Sequence, residues 1–302
     1  MNVNRADMAD LIYFCAIARH HSFSKAAVEL GVSASTLSHA LKGFEARLGV
    51  RLLNRTSKSV TLTAAGESLA SAVSEPVASI DAAMEQLNQF RDSPAGHIRL
   101  NVAVEAATLL LAPVLPVFAE RYPDIELDIV ASNRIVDVTE QRFDAGIRYG
   151  GTVPEDMVAQ RLSADVRWVD AGSPEYLLFF LLYGDHIDLH QHRCVSNRLG
   201  NNRIYKWEFE RGEEQLTVKV PPLLTVDLAE TGVVAILQGF GLMYLPEPLI
   251  AEHVSAGRLR LVLTDWASYG PGFYIYYSSR HQLPTGLRLL ISLVREMKPL
   301  GL

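Results

Sequence analysis

The chain has few of the features that mark secreted, membrane or disulfide-rich proteins. Its 302 residues include only two cysteines, Cys15 and Cys194, which stand far apart. Two such residues provide no disulfide framework and favour a reducing compartment. No apolar run reaches the ~20 residues needed to cross a bilayer, and the first residues lack the apolar core of an export signal. We therefore expect a cytoplasmic protein without a membrane partner.

Motifs of the common enzyme classes are also missing. The sequence has no G-x-S-x-G nucleophile turn, no H-E-x-x-H zinc motif and no glycine-rich phosphate loop. One cluster has the spacing of a zinc or copper site, and its members are His186, His190, His192 and Cys194. The alternative is a polar surface loop that leads into a strand. We expect no catalytic activity and no cofactor.

Charge is distributed unevenly along the chain. The net charge is −6, which alone argues against a nucleic-acid partner. Residues 1–66 nevertheless contain eight Lys or Arg and only four Asp or Glu, a balance of +4. The remaining residues contain 20 basic and 30 acidic side chains, a balance of −10. A basic N-terminal part on an acidic body indicates that only the N-terminal part contacts phosphate.

Helical periodicity and turn residues predict three helices in this basic part, over residues 8–18, 24–30 and 33–48. Ser24 and Ser33 are suited to cap the second and third helices, and a glycine follows each of these helices. Two helices joined by a short turn that contains glycine form a helix-turn-helix.

The third predicted helix has one apolar side and one polar side. The apolar stripe consists of Leu37, Leu41, Phe44 and Leu48. The polar side holds hydroxyls, one imidazole and one cation, and it consists of Ser35, Ser38, His39 and Lys42. Short polar side chains allow a helix to enter the major groove and to donate to base edges. With Ser33 and Thr36 at the start of the helix, this side is the predicted DNA-binding face; the alternative is an ordinary solvated face.

Residues 50–63 predict a small hairpin after this helix. Val60 and Leu62 alternate with polar residues, as in a half-buried strand. The polar turn before them lies between Arg55 and Ser59 and contains Lys58. We interpret the hairpin as a wing whose two cations contact the phosphate backbone or the minor groove. The alternative is that both cations are solvated loop charges.

A long apolar stripe follows on a helix predicted over residues 63–92. Its members recur at steps of three or four: Leu69, Val73, Val77, Ile80, Met84 and Leu87. A partner helix is the natural cover for such a stripe, so we expect a homodimer. The alternative is that the stripe packs on its own chain. Pro76 interrupts the run and should kink the helix.

Strand and helix patterns alternate beyond a Ser-Pro-Ala-Gly hinge. Residues 98–104, 125–130 and 145–149 have strand patterns, whereas residues 108–121 and 135–143 have helix patterns. This alternation predicts mainly parallel sheets, and about 200 residues of it are best divided into two lobes.

Many short motifs stand at fixed spacing between Phe14 and Gly66. They are Ser22-Phe23-Ser24 with Ala26-Ala27, Leu37-Ser38, Glu45 with Leu48-Gly49, Arg55-Thr56, and Leu62-Thr63 with Gly66. This stretch resembles the LysR-type transcriptional regulators, and within that family it is similar to regulators of the CrgA and AaeR kind. Many members carry Gln at the position of Ala34, where it contacts DNA. Base contacts should then shift toward Ser35, Thr36, His39 and Lys42.

The resemblance implies an α+β multidomain protein with a winged helix-turn-helix and a two-lobed α/β effector domain like that of periplasmic binding proteins. The implied domains are 1–62 for DNA binding, 63–92 for the linker and dimerisation helix, and 93–302 for the effector domain. In the effector domain, lobe I covers about 97–164 and 267–302 and lobe II covers about 165–266. The chain therefore crosses from lobe I to lobe II and back again. The family also implies a homotetramer.

The effector is expected beyond the carboxyl ends of the strands, where helix N-termini favour anions. The candidates in the first lobe are Ala107, Thr108, Ser132, Asn133 and Arg148. Those in the second lobe rest more on the resemblance and are Asn197, Leu199, Asp227 and Phe240. Thr108 is alternatively a helix cap, and Arg148 alternatively serves a structural ion pair. Hydroxyl, amide and guanidinium groups suit oxyanions, so we expect a small carboxylate or aromatic effector.

The sequence thus predicts a bacterial transcription regulator, associated with the nucleoid when bound to DNA. Its expected partners are double-stranded promoter DNA, a small-molecule effector and RNA polymerase. Two alternatives stay open. A transport-type binding protein would share the two-lobed fold but not the DNA-binding part, and a vestigial effector lobe would leave a constitutive DNA-binding protein.

Overall fold

A computed structural model describes residues 5–55, 60–87, 91, 93–180, 189–278 and 283–302. The chain divides into two compact units, Met1–Leu87 and Asn88–Leu302. Within the part of the chain that is described, no helix has the length and apolarity required to span a bilayer.

The described residues of the first unit form helices around one small hairpin. In chain order its elements are α1 (Arg5–His20), α2 (Phe23–Leu30), α3 (Ala34–Leu48), β1 (Leu53–Arg55), β2 (Val60–Leu62) and α4 (Ala64–Gln86). Phe14 and Ile17 of α1 and Leu37 and Leu41 of α3 are fully buried in its core. The apolar stripe of α3 therefore faces inward, as its spacing predicts.

The caps of α2 and α3 are set by local sequence. Ser33 caps α3 as predicted, because its Oγ accepts a hydrogen bond from the backbone N–H of Thr36 at 3.1 Å. The predicted cap of α2 is wrong by two residues. Ser22, not Ser24, accepts from the N–H of Lys25 at 3.3 Å, because the helix begins at Phe23.

The wing, residues 50–63, is anchored on both sides. The Glu45 carboxylate of α3 accepts from the backbone N–H groups of Leu52 and Leu53 at 2.8 and 3.1 Å. The carbonyl of Leu52 in turn accepts from the N–H of Thr63 at 2.9 Å. Gly66 lies against that carbonyl, where a Cβ would come within 2.1 Å of the oxygen. The described residues of the wing, 50–55 and 60–63, therefore have a fixed position relative to α3.

Two mixed sheets organise the described residues of the second unit. Four of their strand pairings are parallel and five are antiparallel, so the prediction of mainly parallel sheets is wrong. The first sheet has the order β4-β3-β5-β15-β6, with β3 (Gly96–Val102), β4 (Ile125–Ala131), β5 (Ala145–Tyr149), β6 (Val158–Arg161) and β15 (Phe273–Tyr277). The second has the order β11-β8-β12-β7-β13, and β14 also pairs with β7. Its strands are β7 (Val166–Gly172), β8 (Cys194–Asn197), β11 (Pro222–Val226), β12 (Leu242–Pro246), β13 (Arg260–Val262) and β14 (Ser268–Gly270). A separate hairpin joins β9 (Trp207–Arg211) and β10 (Glu214–Val218).

Helices pack on both sheets. They are α5 (Val104–Ala106), which continues as a π-helical turn over Ala107–Leu111, then α6 (Leu115–Arg121), α7 (Pro174–Phe180), α8 (Ala229–Leu237), α9 (Glu247–Ser255) and α10 (Thr285–Met297). The chain returns to the first lobe at its end: β15 pairs with β5 and β6, and Leu287 of α10 joins the core that contains Ile98. The two predicted crossings are thus present.

Two helix predictions in the first lobe are corrected by the structure. The predicted helix over residues 135–143 is a series of turns. The carboxylate of Asp137 accepts from the N–H groups of Thr139 and Glu140 at 2.8 and 2.9 Å, and this local turn competes with the helix. The helix predicted to start at Thr108 instead starts at Val104. Residues 181–188, which include His186 of the histidine cluster, lie outside the described residues.

Candidate DNA-binding surface and effector cleft

One side of α3 is exposed and carries no acidic group. The exposed side chains are Ser35, Thr36, His39 and Lys42, while Ser38 is half-buried. Leu37, Leu41 and Phe44 are buried on the opposite side. The helix therefore presents the predicted polar face outward, and that face has the small size and donor groups that a major-groove surface requires.

Three hydroxyls at the start of α3 form one hydrogen-bonded group. The Ser33 Oγ lies 2.7 Å from the Oγ of Ser35 and 2.8 Å from the Oγ1 of Thr36. Ser33 is already used as the helix cap, so its role is to hold the other two hydroxyls in place. The hydroxyl groups of Ser35 and Thr36 therefore have defined positions at the exposed N-terminus of α3.

Several cations of the first unit are used within the fold. Arg47 forms ion pairs with Asp7 at 3.0 Å and with Asp10, and these hydrogen bonds, that to Asp10 first, raise the pKa of its guanidinium. Arg19 pairs with Glu29 at 3.2 Å. Among the described residues, by contrast, Lys42 has no ion-pair partner.

The two cations predicted in the wing are only partly described. Arg55 is the last residue of β1, where its backbone is paired with Val60. Lys58 lies in residues 56–59, outside the described part of the chain. Their contact with DNA stays a prediction.

The two lobes of the second unit meet at Asn133, which follows β4. Its Oδ1 accepts from the N–H of Val104 at 3.1 Å in the first lobe. Its Nδ2 donates to the carbonyl of Asp227 at 3.1 Å in the second lobe. Gly200 of the second lobe also lies against Asn133, where an added Cβ would come within 1.7 Å of the Asn133 carbonyl oxygen. We call the space around this contact the cleft. It lies at the carboxyl ends of β3, β5, β8 and β11.

Aromatic rings continue from one lobe to the other beside this contact. The Tyr149 ring, at the end of β5, stacks on Phe273 with centroids 4.3 Å apart. It also lies 5.8 Å from the ring of Trp168, on β7 of the second lobe. Trp168 in turn lies 5.4 Å from Tyr205. We call Tyr149, Trp168 and Tyr205 the aromatic row.

Two carboxylates lie close to the Tyr149 end of this row. Burial raises the pKa of the Tyr149 phenol well above its usual value, and the charges of Glu105 and Glu230 raise it further. Burial, and less strongly the charge of Glu230, also raise the pKa of Glu105. Glu105 and Glu230 lie in the first turns of α5 and α8. Each lobe therefore places one of its own carboxylates at a helix N-terminus that faces the cleft.

Arg148 has partners within the protein. Its guanidinium is buried and donates to the Oδ1 of Asn101, to the carbonyl of Arg134 at 3.0 Å and to that of Ile147 at 3.2 Å. Burial lowers the pKa of this group. The structure thus gives Arg148 neutral acceptors in place of the alternative ion pair, while its Nε has no partner among the described residues, and its contact with an effector stays a prediction.

The other predicted cleft residues of the first lobe differ in position. Ser132 is half-buried, and its Oγ accepts from the N–H of Arg134 at 3.2 Å. Ala107 and Thr108 lie one turn into the helix, because the helix starts at Val104. The exposed Thr108 hydroxyl donates to the carbonyl of Val104 at 3.2 Å, so it is not the cap.

Three predicted residues of the second lobe lie at the cleft end of their sheet, and one does not. Asn197 ends β8, and its Nδ2 donates to the carbonyl of Tyr244 at 3.3 Å. Leu199 and Asp227 follow β8 and β11 and are exposed. Phe240 precedes β12, which runs parallel to β8, so it lies at the opposite end of the sheet, beside the Arg193 guanidinium. The helix between Asp227 and Phe240 carries the chain from one end of the sheet to the other.

Two family models match the chain in regions that agree with its two units. Residues 8–67 match the bacterial regulatory helix-turn-helix protein of the lysR family. Residues 91–299 match the LysR substrate binding domain. The chain belongs to the LysR family of transcriptional regulators.

Relatives and solved structures agree with this assignment over nearly the whole chain. The HTH-type transcriptional regulator YcaN of Escherichia coli K12 is 36% identical, over 96% of this chain and 95% of its own length. PgrR of the same strain is 31% identical, over 96% of this chain and 97% of its own. The structure of CrgA from Neisseria meningitidis is similar with a TM-score of 0.60 at 27% identity, covering 98% of this chain and 99% of that one. The Vibrio cholerae activator AphB has the same fold, with a TM-score of 0.65 at 24% identity, over 96% of this chain and 99% of that one.

These matches confirm the expected class of protein. The two family models describe domains of transcriptional regulators, and the relatives are named as transcriptional regulators. The chain is therefore a DNA-binding regulator with an effector-binding domain and not an enzyme. The cluster with the spacing of a metal site lies partly outside the described residues. Within the described residues no group of three or more His, Cys, Asp or Glu could hold a metal, but His186 lies outside them. Of the other members, His192 lies 3.2 Å from the Tyr176 hydroxyl, and burial raises the pKa of Cys194 to about 12.

Sequence reasoning did not name four residues that lie at the cleft, which are Glu105, Glu230, Tyr149 and Trp168. Glu105 and Glu230 stand two or three positions from candidates that were named, and acidic residues are common in the first turn of a helix. The acidic residues in these first turns could have been noted from the sequence, but the sequence analysis considered the helix N-termini as sites for an external anion. Tyr149 and Trp168 had no local signal, because their proximity depends on how the two lobes meet.

Proposed function

We propose that this regulator reads a promoter with the exposed side of α3 and with the wing, and that a small molecule in the cleft changes this binding. The observation that carries the first part is the outward side of α3, which has four exposed polar residues and no acid. One of the four is Lys42, which has no ion-pair partner in the part of the chain that the structure describes. The anchoring of the wing by Glu45 supports it, since both elements can then contact one duplex together.

The α4 helix supports a homodimer. The first half of its stripe, at Leu69, Val73 and Val77, packs on the core of the first unit. The second half stays exposed: Ile80 is 50% exposed, Met84 62% and Leu87 48%. An apolar stripe of this kind is suited to a partner helix from a second copy. Two copies would present two α3 helices to the two halves of a palindromic site, and the tetramer remains a proposal from the family.

The cleft supports the effector part of the proposal. Asn133 joins the two lobes through one hydrogen bond to each, so a ligand that binds one arrangement of the lobes better shifts the population toward it. A small carboxylate or aromatic compound is the class expected from the sequence. The aromatic row supports the aromatic part of that expectation. Action in the cytoplasm and contact with RNA polymerase complete the proposal.

The Lys42→Ala variant tests the DNA-binding surface. Loss of one phosphate-contacting cation should weaken promoter binding about tenfold at moderate salt and reduce the slope of log K against log salt by about 0.9. The measurement is fluorescence anisotropy of a labelled promoter fragment at several salt concentrations, with the full-length protein.

The matched control is Lys219→Ala, which removes the same charge from an exposed position in the second unit. We expect it to leave both affinity and salt slope unchanged. Equal losses in the two variants would indicate a general effect of net charge and count against α3 as the reading element.

A further inference from the structure

The hydroxyl of Tyr149 is the starting point. It is buried, and it has no hydrogen-bond partner among the described residues. Buried polar groups nearly always have partners, and one without a partner needs an explanation such as a ligand. The ring is held rigidly, stacked on Phe273 at 4.3 Å, so the hydroxyl has one fixed position at the cleft.

The surroundings of this hydroxyl are negative in character. Tyr149 interacts electrostatically with Glu105, Tyr205 and Glu230, and each of these interactions disfavours its ionisation. Glu105 belongs to the first lobe and Glu230 to the second, so each lobe contributes one of the two carboxyl groups. The aromatic row adds the faces of its rings, which carry partial negative charge.

Among the described residues, Arg148 is the cation whose charge acts on Glu105. Its terminal nitrogens donate to Asn101, Arg134 and Ile147, whereas its buried Nε has no partner among the described residues. The exposed Arg198, beyond β8, donates to the Oδ1 of Asn202 at 3.2 Å. Arg148 offsets one of the two negative charges, so a carboxylate ligand would still meet an uncompensated carboxylate, and like charges brought together disfavour binding.

We propose that the effector carries an ammonium group, which binds where Glu105, Tyr149 and Glu230 converge. The ammonium group donates to the two carboxylates and to the phenol oxygen, so the Tyr149 hydroxyl gains its missing partner. The rings of the aromatic row attract the same charge, since ammonium ions bind favourably over aromatic faces. This inference rests on the proposed function, and it replaces an acidic effector with an amine of similar size.

Contact with both lobes gives such a ligand a means of regulation. Glu105 and Tyr149 move with the first lobe, whereas Glu230, Trp168 and Tyr205 move with the second. An ammonium between the two glutamates removes their repulsion only when the lobes are close. It therefore favours the closed arrangement over an open one, which is the differential affinity that a population shift requires.

Three probes of similar size test which charge of the effector the cleft prefers. They are benzylamine, benzyl alcohol and benzoate, each titrated into the full-length protein by calorimetry. We expect benzylamine to bind at least about tenfold more tightly than benzyl alcohol, and benzoate to bind most weakly. Benzylamine binding no tighter than that of benzyl alcohol would overturn the ammonium site. Tighter binding of benzoate would also overturn it, while the effector function of the cleft would stand.

Variants locate the site. Glu105→Gln and Glu230→Gln should each weaken benzylamine binding about tenfold while leaving benzyl alcohol unaffected, and Tyr149→Phe should weaken it less. The controls are Glu120→Gln and Tyr269→Phe, at exposed positions on α6 and β14, which should not change it. Unchanged affinity in Glu105→Gln and Glu230→Gln, with native tryptophan emission, would place the amine elsewhere and overturn the proposal.

Promoter binding separates this inference from the function on which it rests. Benzylamine should change promoter affinity in the native protein and not in Glu105→Gln. Binding at Glu105 without any change in promoter affinity would leave the ammonium site intact and contradict the effector role of the cleft.

Discussion

Replacing Gly66 by alanine is expected to lower the free energy of unfolding of the first unit by about 3 kcal/mol. The added Cβ would lie 2.1 Å from the carbonyl oxygen of Leu52, far inside van der Waals contact. Leu52 has little freedom to move away, because its N–H is bonded to Glu45 and its carbonyl to the N–H of Thr63. The strain must then displace β1 from α3, so promoter binding should weaken as well.

Two spectroscopic signals separate the units in this experiment. All three tryptophans of the chain lie in the second unit, whereas the described residues of the first unit are mostly helical. In denaturant, Gly66→Ala should shift the helical circular dichroism transition to lower concentration and leave the tryptophan transition in place. An unchanged dichroism transition would show that the wing can shift at little cost.

Gly43→Ala is the matched control within the same unit. Gly43 lies inside α3, and its added Cβ would meet only the Arg47 side chain, at 3.5 Å. Alanine has the higher helix propensity, so this variant should stabilise the unit by about 0.5–1 kcal/mol. Opposite shifts from two Gly→Ala changes would assign the loss in Gly66→Ala to the contact with Leu52.

The parts of the structure that depend on neighbouring residues could be predicted from the sequence. The cap at Ser33, the buried stripe of α3 and the end of that helix before Gly49, which has a φ of 69°, all follow from interactions within one turn. The strand patterns at Ile125–Ala131 and Ala145–Tyr149 were also predicted nearly to the residue. In each case side-chain periodicity and the local backbone preference agree.

The errors occur where a distant group replaces a local one. The helix after β3 starts at Val104, four residues earlier than predicted, and the acceptor for its first N–H is the Asn133 side chain, which is remote in sequence. The cleft is harder to predict for the same reason. Glu105 and Glu230 come together only because each follows a strand that ends at the junction of two lobes, and no pattern along the chain records that junction. The sequence therefore predicts a carboxylate or aromatic effector, whereas the residues of the cleft support the ammonium group that we propose.

Replacing Gly200 by alanine is the second change for which a large effect is expected. Its Cβ would lie 1.7 Å from the Asn133 carbonyl oxygen, a contact that only a movement of one lobe away from the other can relieve. The same movement breaks the hydrogen bond from Asn133 to Asp227. If the closed arrangement loses about 3 kcal/mol, its ratio to an open one falls by about 150-fold.

The half-buried Trp168 reports this movement directly, because its ring lies 5.8 Å from Tyr149 of the other lobe. In Gly200→Ala we expect the tryptophan emission to shift to the red and benzylamine binding to be lost. The circular dichroism transition of the first unit and the promoter affinity without ligand should stay unchanged. Asn133→Ala removes the hydrogen bonds without the steric clash, and its effect on emission should be smaller, as the loss of about 1 kcal/mol per hydrogen bond implies. Native emission and native benzylamine affinity in Gly200→Ala would mean that the lobes can close around the added methyl group, and that contact at Asn133 does not control the cleft.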